Sequence, residues 1–293
     1  MLLALSQGLI PLSFEAFLPD PSFSPIEQET RLVRLGVEVF PTWFKDCRLS
    51  WNPLPSWSNA DVNYNVYRSQ QQQGGFVKLN AVPLQSPQFV DDQVVNSTLT
   101  DRDFYVVEAI VNNGVTITTW RTEPAQVGDS LPRYQGLLHR EINRRHWVLL
   151  KVLAGTEAIL LRKKLYGKHC PKCYDKKTGT ITKEGCQICY GTGVQGGYYP
   201  SIKTLAQFDA SQENKIYTYF GRFEPNEIGM WTIYYPKIQA HDLVIRKKDL
   251  SIYRVESLAP TELLNKVSRQ ICRLTELPRT HNLYHLLERE GLT

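Results

Sequence analysis

Phe104-Tyr105-Val106-Val107-Glu108-Ala109-Ile110, then Asn112-Asn113-Gly114, then Val115-Thr116-Ile117-Thr118-Thr119-Trp120 reads as two strands joined by a hairpin turn. β-Branched and aromatic side chains suit a pleated, half-buried surface. Asn and Gly tolerate the positive φ that a tight hairpin demands. Upstream, the pattern repeats in Arg48-Leu49-Ser50-Trp51, Tyr64-Asn65-Val66-Tyr67-Arg68 and Phe76-Val77-Lys78-Leu79. Short strands at such spacing across residues 33–125 predict a β-sandwich. Asp91-Asp92 and Asp101-x-Asp103 fall between the strands and read as solvated loop carboxylates, as does the Gln70–Gln73 run.

Before the sandwich, residues 1–32 are rich in proline and apolar residues without a period, and read as an arm. Ser24-Pro25-Ile26-Glu27 has the form of a helix start. After it, residues 126–154 hold a linker and a helix from about Tyr134 to Leu153. Leu138, Ile142, His146, Leu149 and Leu153 form its apolar stripe, and Ala154-Gly155 is its stop. His146 lies in that stripe and is expected to be a packed, hydrogen-bonded histidine.

A short strand, Ala158–Leu161, leads into a cysteine-rich segment over residues 155–200. Residues 201–293 return to strands, at Lys215–Phe220, Trp231–Tyr235, Leu243–Arg246, Ile252–Leu258 and Val267–Leu274, with a turn at Lys247-Lys248-Asp249 and a short helix over 281–290. Five strands suit a small barrel. The predicted fold class is therefore mainly β with a few helices: a sandwich, a helix, a metal knuckle and a small β-barrel-like domain.

Chemistry is concentrated in one place. Four of the six cysteines form two Cys-x-x-Cys pairs, Cys170/Cys173 and Cys186/Cys189. Two residues between cysteines let both sulfurs of a knuckle face one ion, and two knuckles complete a tetrahedron. This predicts a structural Zn²⁺ held by Cys170, Cys173, Cys186 and Cys189, with iron as the main competitor. Four thiolates leave no open position for catalytic water, although His169 lies close enough to compete as a ligand. Cys186-Gln-Ile-Cys-Tyr-Gly-Thr-Gly193 matches the Cys-x-x-Cys-x-Gly-x-Gly pattern of J-protein chaperone zinc modules. One such half is present and the His-Pro-Asp signature is absent, so the match is convergent knuckle chemistry. The glycines are expected to direct backbone amides at the sulfurs.

The 293-residue chain has 42% hydrophobic and 22% charged residues, which excludes disordered and coiled-coil classes. No apolar run approaches the ~18 residues of a membrane helix, and no basic leader precedes the apolar N-terminus, so a soluble protein made without export is expected. The net charge is +5, yet between Arg133 and Lys183 thirteen Lys and Arg stand against three acids, a local excess of ten. That stretch suits either a phosphate-contacting surface or an interface with an acidic partner. Phosphate-binding loops, His-Glu-x-x-His and Gly-x-Ser-x-Gly motifs are absent, so no enzyme is expected.

Two resemblances sharpen this reading. Leu-Ser-Trp51, Tyr64-Asn-Val-Tyr-Arg-Ser69, Gly74-Gly-Phe-Val-Lys-Leu79 and Phe104-Tyr-Val-Val-Glu-Ala109 together resemble a fibronectin type III domain. The resemblance implies that Trp51 and Tyr64 or Val66 are core residues. The C-terminal half, about 131–280, resembles a family of tailed-bacteriophage virion proteins of the neck, or head-to-tail connector, type. The resemblance lies in Leu161-Arg-Lys-Lys-Leu-Tyr-Gly-Lys-His-Cys-Pro-Lys-Cys-Tyr-Asp-Lys-Lys-Thr-Gly179, in Cys186–Pro200, and in His241-Asp-Leu-Val-Ile245 followed by Tyr253-Arg-Val-Glu-Ser257. It implies a homo-oligomeric ring in the virion, assembled in the host cytoplasm. Its partners would be a portal or adaptor and tail-terminator or tail proteins, with genomic DNA passing through the ring and no membrane. Trp147, Trp231, Tyr198 and Tyr199 are candidates for interface or core aromatics. A baseplate or tail-tip protein, a zinc-ribbon nucleic-acid binder and a metalloenzyme are the alternatives.

Overall fold

A computed structural model describes residues 31–41, 46–55, 60–93, 103–112, 117–126, 133–175, 177–183, 185–209, 227–263 and 266–292. The expected helix start at Ser24, the Asn113-Gly114 turn, the Lys215–Phe220 strand and Asp101 lie outside these residues. Among the described residues the protein is mainly β, with few helices and one closed barrel. No helix among them is long and apolar enough to cross a membrane.

The N-terminal half is two facing sheets. One contains β2 (Glu38–Pro41), β3 (Cys47–Ser50) and β6 (Gln88–Asp91), in the order β2-β3-β6. The other runs β1 (Arg31–Leu32), β8 (Ile117–Arg121), β7 (Phe104–Asn112), β4 (Asp61–Ser69) and β5 (Val77–Lys78), with β9 (Ala125–Gln126) beside β7. Strand period two aims alternate residues inward. Cys47 and Leu49 on β3, with Trp51 just beyond it, meet Tyr64 and Val66 on β4 and Tyr105, Val107 and Ala109 on β7. In the register, Tyr64 lies opposite Ala109 and Val66 opposite Val107. The Trp51 and Tyr64 rings sit edge to face at 5.4 Å, which adds to the gain from burial. Trp51, Tyr64 and Val66 are thus core residues, as expected.

Asp91 departs from expectation. It ends β6, is 2% exposed, and accepts hydrogen bonds from Arg68 Nη1 at 2.7 Å and Tyr105 Oη at 3.0 Å. It is a buried structural carboxylate rather than a solvated loop residue, because Arg68 reaches across from the other sheet to neutralise it.

The barrel closes in the order β10 (Thr156–Leu161), β11 (Ile202–Asp209), β12 (Glu227–Ile233), β15 (Lys266–Glu276), β14 (Ser251–Leu263), β13 (Leu243–Arg246). The strand expected ahead of the cysteines is therefore the one that closes the barrel, pairing with both β11 and β13. The cysteine segment is an insertion between two neighbouring staves. Its ends are clamped where Tyr199 N donates to Arg162 O at 2.9 Å and Lys164 N to Gly197 O at 2.9 Å. Inside the barrel, Ala158, Leu160, Val244, Val255, Met230 and Leu274 pack together. The alternate residues Ile159, Leu161, Leu243 and Ile245 pack outside, under Leu283, Leu286 and Leu287 of the C-terminal 3-10 turn (Asn282–Tyr284) and helix α2 (His285–Arg289). That cover explains why these strands read as continuous apolar runs.

Helix α1 (Arg133–Leu149) and a π-helical turn (Leu150–Ala154) fill the expected helix, but with a different buried face. Leu138, Leu149 and Leu153 are exposed, at 41%, 39% and 79%. Instead, Asn143 and Leu150 are buried, His139 donates to Val267 O at 3.3 Å, and His146 lies 3.4 Å from Ser268 Oγ with its ring edge on Trp231. The contact is mixed: His139 and His146 meet Val267 O and Ser268, Trp147 and Leu150 pack with Trp231, Ile233, Tyr234 and Tyr235, and the leucine stripe turns outward.

The π turn ends on Gly155 N–H donating to Leu150 O at 2.8 Å. A Cβ at Gly155 would lie 2.1 Å from that oxygen. Gly155→Ala is expected to cost about 2–3 kcal/mol, measured as a lower urea midpoint at unchanged slope. Gly74→Ala, where nothing lies within 4 Å, is the control that should stay near zero.

Candidate metal centre

All four cysteines singled out by spacing come together. Their sulfurs lie within 4.8 Å of one another and all four residues are buried. Cys170 and Cys186 Sγ are 3.7 Å apart, and Cys173 and Cys189 Sγ 3.0 Å. No pair is a disulfide. Thiolates around a tetrahedral ion at ~2.3 Å sit about 3.8 Å from each other. The donor set, its closeness and its burial fit a metal ion held by sulfur.

Short hydrogen bonds shape the two knuckles. Cys170 N donates to Gly193 O at 2.8 Å, linking the first knuckle to the second, and Thr182 N donates to Cys173 O at 2.8 Å. Thr192 caps the second knuckle, its Oγ1 donating to Cys189 O at 2.8 Å. Gly197 closes the segment with φ +64°, and a Cβ there would come 2.7 Å from Cys189 O. Position 197 therefore needs glycine for both reasons.

Backbone amides do face the sulfurs. Burial pushes the Cys186 thiol up, but the N–H groups of Cys189 and Ile188 aimed at it outweigh burial, and its pKa falls to about 6. At Cys189, burial prevails and the pKa is raised, although the N–H groups of Gly193 and Gly191 favour the thiolate. Burial also raises Cys173. A bound cation would reverse these increases, since a coordinating thiol is deprotonated outright.

His169 is not part of the cluster. Its ring lies flat on Tyr174 at 3.9 Å. Cys47 and Cys272 are buried in the sandwich and barrel cores, and burial pushes both thiols up to about 12, out of reach of ordinary thiolate chemistry. Tyr198 and Tyr199 are buried, each 6% exposed, while Trp147 and Trp231 are partly covered beside Leu150.

Sequence reasoning did not single out Arg162 and Asp242. Arg162 follows β10 and is 1% exposed, and Asp242 is also 1% exposed. Asp242 Oδ1 accepts Lys163 N–H at 2.9 Å, and Oδ2 accepts Gln239 N–H at 2.7 Å. Burial raises its pKa to about 6, against the opposing pull of those amides and of Arg162. The fold and the cysteines thus define a class: a mainly-β chain with a closed barrel and a buried four-thiol cluster able to hold a metal ion.

No family model matches the chain, and no curated protein matches it. Among solved structures it is similar to the solution structure of protein SF1141 from Shigella flexneri 2a, at 9% identity and TM-score 0.27, covering 41% of this chain and 90% of that one. It is also similar to titin kinase and its flanking domains, at 6% identity and TM-score 0.25, covering 84% of this chain and 38% of that one. Likenesses this remote carry no argument about function.

Proposed function

We propose that this chain is a non-enzymatic structural component of a tailed-phage virion, a ring-forming neck connector between portal and tail, with one Zn²⁺ stapling the insertion at Cys170, Cys173, Cys186 and Cys189. The observation that carries the proposal is the set of four buried sulfurs within 4.8 Å of one another, a donor set that suits a structural ion. Zinc is the ion of choice because four thiolates in a tetrahedron suit it without redox chemistry. The virion reading rests on the motif resemblance around those cysteines. The sandwich would project as an outward module, in keeping with its fibronectin type III resemblance.

An exposed apolar ridge supports assembly. Val148, Leu149, Val152 and Leu153 end the helix beside the barrel, with Val152 70% and Leu153 79% exposed. Ridges of this kind mark contact surfaces, and in a ring the occupant is a second copy of this chain. Electron microscopy and light scattering of the purified protein, with zinc measured on the same sample, test the reading. Closed rings with one zinc per chain are expected, and Val152→Glu with Leu153→Glu should give zinc-loaded monomers of unchanged melting temperature. A wild-type protein that stays monomeric both alone and with portal rings overturns the connector reading.

A further inference from the structure

A cleft of about 170 Å³ separates the sandwich from the metal insertion, with Tyr64 and Asp61 on one wall and Lys164, Lys168 and Tyr199 on the other. Its charges do not balance. Lys168 Nζ pairs with Asp61 at 2.7 Å, which uses the carboxylate of the sandwich wall. Lys164 lies over the Tyr199 ring at 5.7 Å, and among the described residues it makes no ion pair. Burial lowers its pKa, opposed by Asp61 and assisted by Arg289.

Arg162 does not line the cleft but lies close to its two tyrosines. Its guanidinium interacts electrostatically with Asp242, Tyr199, Tyr235 and Tyr64. Its Nε and Nη1 have no hydrogen-bond partner although they are fully buried. Asp242 supplies neither bond: its two oxygens accept the N–H groups of Lys163 and Gln239. A buried guanidinium with two idle donors is costly unless something accepts from it. A lysine with no ion pair among the described residues, a buried guanidinium with two idle donors, phenol groups beside both and a small polar cavity are the parts of an oxyanion site.

We propose that this cleft binds one compact oxyanion, with a phosphate group as the best match, held by Lys164 and Tyr199 at the mouth and by the positive field of Arg162 behind them. The cleft, about 170 Å³, has room for one phosphate group. The ligand would couple the sandwich to the insertion, since its two walls belong to different parts of the fold.

The test is a titration of the zinc-loaded full chain with inorganic phosphate at constant ionic strength, sodium chloride replacing phosphate in the control, read by calorimetry and melting temperature. Saturable one-to-one binding is expected. Lys164→Met should weaken it at least tenfold, the loss of a charged hydrogen bond. Tyr199→Phe, which keeps the ring and the fold, should weaken it by a smaller factor. A response to phosphate no larger than that to chloride overturns the proposal. So does wild-type affinity in Tyr199→Phe and in folded Lys164→Met. Acetate binding as tightly as phosphate overturns the assignment to phosphate.

Discussion

Cys189→Ser is expected to release the metal and unfold the stretch between Lys164 and Gly197, while the barrel strands stay paired. Structural zinc contributes about 10–16 kcal/mol in comparable small modules. The insertion has little else to hold it, because its buried cluster consists of the four cysteines with Tyr174 and Ile188 packed against them. Trypsin offers a direct readout. Lys168, Lys172, Lys177 and Lys183 lie in the segment, so the variant and the chelated wild type should be nicked there rapidly, with the metal-loaded protein resistant. Equal resistance in all three would sink the structural role assigned to the ion. Acid should imitate chelation, since protons compete with the ion for thiolates.

The second large effect is expected at Asp242. Asp242→Asn places an NH₂ group against one of two backbone donors and leaves Arg162 without its nearest opposite charge. A loss of about 3 kcal/mol at pH 7 is expected, in the range seen when one member of a buried charge set is removed. The pH dependence carries a distinct sign. The folded pKa, about 6, lies above the ordinary value of 3.8. Between those values the folded state binds more protons than the unfolded one, so this group adds stability as the pH falls from about 7 to 4. The asparagine variant lacks that gain, and its deficit against wild type should widen by roughly 2 kcal/mol over the window. Urea unfolding of both proteins at pH 7 and pH 4 measures it. A deficit that narrows on acidification contradicts the assignment.

What could be read from the sequence follows from what each signal encodes. The four-cysteine cluster was legible because knuckle spacing is local geometry, and the four sulfurs meet as the spacing requires. Strand β13 was legible to the residue because Leu243–Arg246 is bounded by a turn and buried on both faces. Strand β11 was missed. Its Ile202-Lys-Thr-Leu-Ala-Gln-Phe-Asp209 sequence buries Ala206 fully and otherwise offers mixed polar residues to the flanking strands. The helix was found but its face was misassigned, because much of the contact runs through His139, Asn143 and His146, and apolar periodicity is blind to polar packing. Asp91 was misjudged and Arg162 overlooked for the same reason. A charged residue in sequence looks solvated until a distant partner, or a cavity, is placed beside it.

The insertion of the metal segment between two adjacent staves bears on the entropy of closing the barrel. Strands β10 and β11 pair through a long excursion whose ends meet at Lys163 and Tyr198. Closing a flexible loop of that length costs about 3 kcal/mol, by the (3/2)RT ln n scaling. A metal that folds the excursion first removes most of that cost, because the chain between the staves then behaves as a short rigid link. The ion would therefore act twice, once on the segment that binds it and once on a barrel whose strands it never touches.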